Sequence, residues 1–167
     1  MATAWAPVID SPSNPIDLLE EMVVANEWPF DRASDDEMVV ETTGSWCDYR
    51  LYFVWRKESS ALHFTCSFDQ RVPPEKTTAV AELLALVNER MWLGHFDVCS
   101  DERVPLFRYT LLTRGWRGLS AEQFEDIVDI ALCECERFYP AFQFVLWGGK
   151  RADEAIAASM LETVGEA

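Results

Sequence analysis

The sequence predicts an α+β domain in which helices cover one face of an antiparallel sheet. Two observations predict this fold class. Apolar and polar residues alternate along segments between residues 37 and 69, which is typical of antiparallel strands with one covered face. Other segments carry apolar residues at helical spacing, at intervals of three and four. The predicted order is helix, three strands, helix, two strands and a long helix, or α-β-β-β-α-β-β-α.

The first helix is expected from Asn14 to about Trp28. Asn14 can cap its N-terminus, and Pro15 at the first helical position gives up no N–H that the helix needs. Pro29 is expected to end this helix. Its apolar stripe is formed by Ile16, Leu19, Met22 and Val23.

Three strands are predicted after this helix. The first begins at Met38 and stops at Gly44. Short turns between the segments predict that consecutive strands pair as hairpins. The residues expected on the covered face are Cys47, Tyr49, Leu51, Phe53 and Trp55 in the second strand and Leu62, Phe64, Cys66 and Phe68 in the third.

The second half of the chain is predicted to return to helix, strands and helix. Pro73-Pro74 starts a helix over 74–91, and Gly94 can follow it in the left-handed conformation. Two strands are expected at about 95–100 and 104–112. Ser120 begins the last long helix, with Gln123 completing a capping box, and Pro140 is expected to kink or split that helix.

The domain organisation follows from these elements. Residues 1–13 are predicted to form a flexible N-terminal arm, residues 14–149 a single α+β domain, and residues 150–167 a short C-terminal helix and tail.

Composition favours protein partners over nucleic acid or membrane. Twenty-nine acidic residues and fourteen basic residues give a net charge of −15, which repels phosphate backbones and anionic membrane surfaces. No stretch is long and apolar enough to span a bilayer, and the first residues do not read as a signal peptide. Five cysteines without a C-x-x-C pair suit a reducing compartment, so we expect a cytoplasmic protein.

Metal binding and catalysis are not expected from the residue pattern. His63 and Cys66 are three apart on a predicted strand and therefore point to opposite faces. His95 and Cys99 form the one pair that could support a cysteine-dependent enzyme, which is kept as an alternative beside a small-ligand sensor. We expect no cofactor, no metal and no catalytic residues.

Candidate interaction residues come from apolar side chains outside the predicted core pattern. Seven residues are candidates for partner binding: Trp46, Tyr52, Val54, Trp92, His95, Phe96 and Trp147. For Trp46, Tyr52 and Val54, which share the second face of their strand, packing in a second core layer is the alternative. The seam of the second helix is the candidate for contacts in a homodimer, through Val80, Leu83, Leu84 and Val87. The acidic face of the last helix is interpreted first as a solvated face and, as an alternative, as a docking surface for a basic partner; it carries Glu122, Glu125, Asp126, Asp129, Glu134 and Glu136.

Several segments together resemble the YbjN family over roughly residues 14–165. They are ANEWPFDR (25–32), GSWCDYRLYFVW (44–55), LHFTCSFD (62–69), NERMWLGHFD (88–97), LFRYTLL (106–112) and ERFYPAFQFVLWGGK (136–150). The resemblance implies a type III secretion chaperone-like fold, with a curved antiparallel sheet, and a dimer. It also implies a sensory transduction regulator without established catalytic residues. The function expected is that of a non-enzymatic protein-binding regulator or chaperone-like adapter.

Overall fold

The computed structural model describes residues 14–164, with side chains described as far as residue 161. The predicted N-terminal arm and the last three residues lie outside the described part. The helices are α1 (Pro15–Ala25), α2 (Thr77–Asn88), α3 (Ala121–Leu146) and α4 (Ala152–Val164). The strands are β1 (Phe30–Ser34), β2 (Glu37–Thr43), β3 (Asp48–Arg56), β4 (Ala61–Ser67), β5 (His95–Val98) and β6 (Pro105–Leu112).

The six strands form one antiparallel sheet in the order β1-β2-β3-β4-β6-β5. The first four strands follow one another as hairpins, as the short turns predict. The chain then crosses through α2 to the far edge, where β5 pairs with β6, and β6 returns beside β4. The α+β fold class predicted from the sequence is therefore correct.

The alternation in β3 and β4 places the large apolar side chains on one face, under the helices. Phe53 and Phe64 are opposite each other in the register, with ring centroids 4.9 Å apart, and Phe124 of α3 packs onto Phe53. We call this the covered face. Its strand residues predicted from the sequence are buried except for Cys47, which is half-buried; the buried ones are Tyr49, Leu51, Phe53, Trp55, Leu62, Phe64, Cys66 and Phe68.

Local hydrogen bonds explain where the helices begin. Asn14 Oδ1 accepts from the Ile16 N–H at the start of α1, as predicted. Ser120 and Gln123 form the predicted capping box of α3, with the Gln123 N–H donating to Ser120 Oγ and the Ser120 N–H donating to Gln123 Oε1.

Four boundaries or elements differ from the prediction. Helix α1 ends at Ala25, before Trp28, because Asn26 caps it by donating to the Met22 carbonyl. The segment Pro74–Lys76 is a 3-10 turn, so α2 begins at Thr77 and ends at Asn88. Strand β1 is an additional strand, and α3 continues unbroken through Pro140, so the predicted split is wrong.

Candidate interaction surface

The opposite face of the sheet has no helix packed on it among the described residues. We call it the open face, and it consists of the strand side chains that alternate with those of the covered face; Ser67 and Leu106, at one end of it, are themselves buried. Its centre lies on β2, β3 and β4 and is formed by Val39, Tyr52, Val54 and Thr65, all half-buried. Because these side chains are shielded only by their neighbours, a partner could remove the remaining exposed area from water.

One cross-strand row passes through this centre. The strand pairings place its members side by side from β1 to β5, in the order Asp31, Val39, Tyr52, Thr65, Arg108 and His95. The row therefore has a carboxylate at one end, apolar or neutral side chains in the middle and a guanidinium and an imidazole at the other end.

Ion pairs on the open face are few and exposed. Arg50 Nε lies 3.3 Å from Glu41 Oε1, and Arg108 Nε lies 3.7 Å from Asp97 Oδ2. The Tyr52 side chain, and then Glu41, raise the pKa of the Arg50 guanidinium. Such exposed pairs stabilise a fold weakly, so their side chains remain available to reorganise toward a partner.

The predicted partner-binding residues do not form one surface. Tyr52 and Val54 lie at the centre of the open face, and His95 lies at the end of the same row, exposed on β5. Trp92 and Trp147 are exposed in the segments that follow α2 and α3, with 73% and 68% of their area accessible.

The other two predicted residues belong to the core. Phe96 is buried among Phe68, Phe107 and Phe138. Trp46, whose role was open between interface and second-layer core, stacks on Tyr139 of α3 with centroids 6.2 Å apart and planes 10° apart. Its ring is half-buried against the core cluster, away from the open face.

The α2 seam is largely occupied within the chain. Val80, Leu83 and Val87 are buried in the core where α2 packs against α3, α4 and β5. These three side chains cannot contact a second copy without unfolding, which corrects the expectation that they form a dimer interface. Only Leu84 of that set remains half-exposed.

Two cysteines lie in contact under the sheet, shielded from solvent. Cys66 of β4 and Cys135 of α3 are both fully buried, with their sulfur atoms 3.6 Å apart. Burial, and then the neighbouring Cys66, raise the pKa of the Cys135 thiol. Burial likewise raises the pKa of Cys47 to about 12. Thiols with raised pKa values stay protonated near neutral pH, and the thiolate is the reactive form.

A second group of polar side chains is buried at the α3 side of β3. Tyr139 Oη donates to Asp69 Oδ1 at 2.9 Å, and burial raises the pKa of Tyr139 to about 12. Tyr49 Oη is buried, and burial followed by the nearby Glu136 raises its pKa. These phenols pack within the core cluster and, being neutral, suit structural roles better than proton transfer at neutral pH.

Hydrogen bonds and strand alternation describe the residues that were considered for catalysis or metal binding. No hydrogen bond within residues 14–164 joins His95 to Cys99, and His63 and Cys66 point to opposite faces of β4, as predicted. Among the described residues, no group of three or more His, Cys, Asp or Glu could hold a metal ion. In this same part of the chain no helix is sufficiently long and apolar for a membrane crossing.

Sequence reasoning missed most of the open face. Val39, Thr65, Arg108 and Asp31 join Tyr52 in one row only because of the strand order, which places β6 between β4 and β5. The alternation within each strand could have identified these residues, because side chains at neighbouring positions of a strand point to opposite faces of the sheet.

Comparison with known proteins identifies the family. The family model of YbjN, described as "Putative bacterial sensory transduction regulator", matches residues 15–144. No curated protein matches the chain. Among solved structures, the chain is similar to one described as "YbjN, a putative transcription regulator from E. coli", with 14% identity, a TM-score of 0.49, and coverage of 90% of this chain and 92% of that one. Because the family match spans most of its length, the chain belongs to the YbjN family.

Proposed function

We propose that this protein is a non-enzymatic cytoplasmic regulator or chaperone-like adapter that acts by binding proteins, and that it dimerises through the open face. The observation that supports this most is the uncovered face of the six-stranded sheet, with Val39, Tyr52, Val54 and Thr65 half-buried at its centre. A face of mixed apolar and charged side chains suits an interface that forms between folded molecules.

The two edges of the sheet are poorly suited to association. Asn88 at the end of α2 donates to the Phe96 carbonyl at 3.0 Å and accepts from the Phe96 N–H at 2.7 Å, so its amide blocks the outer edge of β5. The edge strand β1 has five residues, and its register shifts between Arg32 and Ser34. Short, blocked or irregular edges disfavour strand addition, which leaves the face as the associating surface.

The charge pattern of the central row favours a second copy as the occupant. A two-fold axis parallel to the strands and between β3 and β4 exchanges the two ends of the row between copies. Asp31 of one copy then faces His95 of the other, Val39 faces Arg108, and Tyr52 faces Thr65. Each contact occurs twice, as an isologous interface requires.

The area of the open face is sufficient for such a dimer. Five gaps of about 4.8 Å between strands and a mean strand length of about 23 Å give about 550 Å² per copy. Two copies together would bury about 1,100 Å², which exceeds the roughly 1,000 Å² expected of a specific interface.

Sedimentation equilibrium of the full chain tests this dimer. We expect a dimer for the unchanged protein and an at least 30-fold weaker association for Tyr52→Asp, since a charge at the centre of an interface costs at least about 2 kcal/mol. Leu161→Asp is the matched control, because Leu161 is an exposed apolar residue of α4, away from the open face. A monomeric unchanged protein, or equal association of the two variants, contradicts the proposal.

A charge exchange tests the orientation of the two copies. Asp31→Lys and His95→Asp should each weaken the dimer, and the double variant should recover most of the association. If the two losses add without recovery, the two-fold arrangement of the row is wrong.

A further inference from the structure

A cleft between α1 and α3 lies on the helical side of the molecule, away from the open face. It has a volume of about 220 Å³. Its floor is apolar and is formed by Leu19, Val23, Phe124 and Val128, all buried, while Met22 and Trp28 are half-buried at its sides. The volume suits one or two large apolar side chains, and a groove between two helices accepts a third helix.

The polar rim of the cleft carries negative charge. Glu125 and Asp129 of α3 line it with Asn26, the residue that caps α1, and all three are exposed. Glu125 and Asp129 are four residues apart on one helical face, so their carboxylates repel each other. Within residues 14–164, neither carboxylate forms an ion pair with a basic side chain.

The acidic surface extends beyond the rim. Glu122 and Asp126 are exposed on the same N-terminal half of α3. The pKa of Glu122 is lowered by the backbone N–H at the helix start and by Ser120, so this carboxylate is held in its charged form. By contrast, Asp17 and Glu20 on the other side of α1 both form ion pairs with Arg32. Unpaired negative charge is therefore concentrated beside the apolar cleft.

The geometry points to the α1–α3 cleft as the docking site for a cationic amphipathic helix of a partner protein. Large apolar side chains of that helix insert between Val23 and Val128, and flanking lysines or arginines contact Glu125 and Asp129. An anionic or uncharged segment satisfies only the apolar half of this site. The inference rests on the proposed function, because it assumes that this protein acts by binding other proteins, and it adds the chemistry of one such partner.

The experiment uses the full-length, ¹⁵N-labelled protein and a 14-residue helical peptide of leucine and lysine with leucine on one face. The matched probes are the same peptide with glutamate in place of lysine, and a scrambled leucine–lysine peptide without an apolar face. Of these three peptides, we expect only the amphipathic leucine–lysine peptide to bind the protein at 0.15 M salt. The amide shifts should be centred on α1 and the first half of α3.

Three variants separate specific docking from general attraction to an acidic protein. Glu125→Lys/Asp129→Lys should weaken binding about tenfold. Glu75→Lys/Glu82→Lys makes the same charge change at exposed residues outside the cleft and should alter binding less than threefold. Met22→Glu adds negative charge but removes an apolar wall, and it should weaken binding, with the circular dichroism spectrum confirming that it stays folded.

Several results overturn the inference. These are equal losses in the two double variants, tighter binding by Met22→Glu, binding of the glutamate or scrambled peptide, shifts centred elsewhere, or no binding. The sedimentation mass of the cleft variants should equal that of the unchanged protein. If the peptide does not bind and the dimer is intact, only the docking site in the cleft is rejected. Loss of the dimer in Tyr52→Asp tests the open face and not the cleft.

Discussion

The two faces of the sheet are built by the same strands and yet differ in composition and in use. On the covered face, Phe53, Phe64, Phe107 and Phe96 contact one another edge-on or tilted, with centroids between 4.9 and 6.4 Å apart. On the open face, one position along, the row through Tyr52 mixes apolar and charged side chains. The comparison teaches that alternation fixes which residues share a face, while the chemistry of each face decides whether it stabilises the chain or remains available to a partner.

The largest expected difference is between two adjacent residues of β4 that point to opposite faces. Phe64→Ala removes a side chain that is 1% exposed and contacts two other rings, so we expect a loss of about 4 kcal/mol in the free energy of unfolding. Thr65→Ala changes the half-buried neighbour on the open face, and we expect a loss within about 1 kcal/mol. Urea denaturation followed by circular dichroism measures both.

The protein concentration must be low enough for this comparison to report on the monomer, because dimer dissociation would otherwise add to both values. Similar losses for Phe64→Ala and Thr65→Ala at low concentration would mean that the two faces do not differ as described.

The next expected effect tests how closely the covered face is packed at its β5 end. Gly94 has φ of +66°, and an added Cβ would collide with the Phe107 ring and lie 2.8 Å from the Arg108 carbonyl. Gly94→Ala should cost about 3 kcal/mol, from backbone strain and from the contact together. Gly115 has φ of +86° with no atom within 4 Å of an added Cβ, so Gly115→Ala should cost only about 1 kcal/mol.

The difference between these two glycine variants isolates the contact, because both residues have a positive φ. A crystal structure of Gly94→Ala should show the Phe107 ring displaced. Equal stability losses would indicate that the ring moves aside freely and that the packing at this end of the sheet is loose.

Much of the fold could be predicted from the sequence because its strongest signals are local. The alternation from Tyr49 to Phe68 and the capping residues Asn14 and Ser120 each need only neighbouring residues to be interpreted. Strand β1 was missed because the segment FDRAS at an exposed edge has no apolar alternation. Its strand conformation comes from pairing with β2, which is a tertiary effect.

The candidate surfaces were less predictable because they depend on which elements are neighbours. The α2 seam has the pattern of an interface helix, but Leu83 is buried inside the chain because α3 and α4 pack on α2. The cleft between α1 and α3 could not be predicted, since Val23 and Val128 are more than a hundred residues apart and only the tertiary packing places them together. An apolar helical stripe indicates that a face is covered, without indicating what covers it.

The smallest of these effects extends the comparison from the faces of the sheet to its edge. Asn88→Ala removes both hydrogen bonds to the Phe96 backbone, and we expect a loss of about 2 kcal/mol together with faster amide hydrogen exchange at Phe96. Asn26→Ala is the matched control, because its amide makes one exposed hydrogen bond to the Met22 carbonyl, and it should cost less than about 1 kcal/mol.

The Asn88 variant also discriminates between edge and face as the route of association. Removing the amide leaves the Phe96 N–H and carbonyl free to pair with a strand of another molecule. If dimers form through the open face, Asn88→Ala should add larger assemblies to the existing dimer, and combining it with Tyr52→Asp should leave only the new edge-mediated species. If instead the unchanged protein associates through its edge, Asn88→Ala strengthens the same dimer and Tyr52→Asp has no effect on it. The two variants together therefore assign the associating surface even when each one alone changes the sedimentation mass.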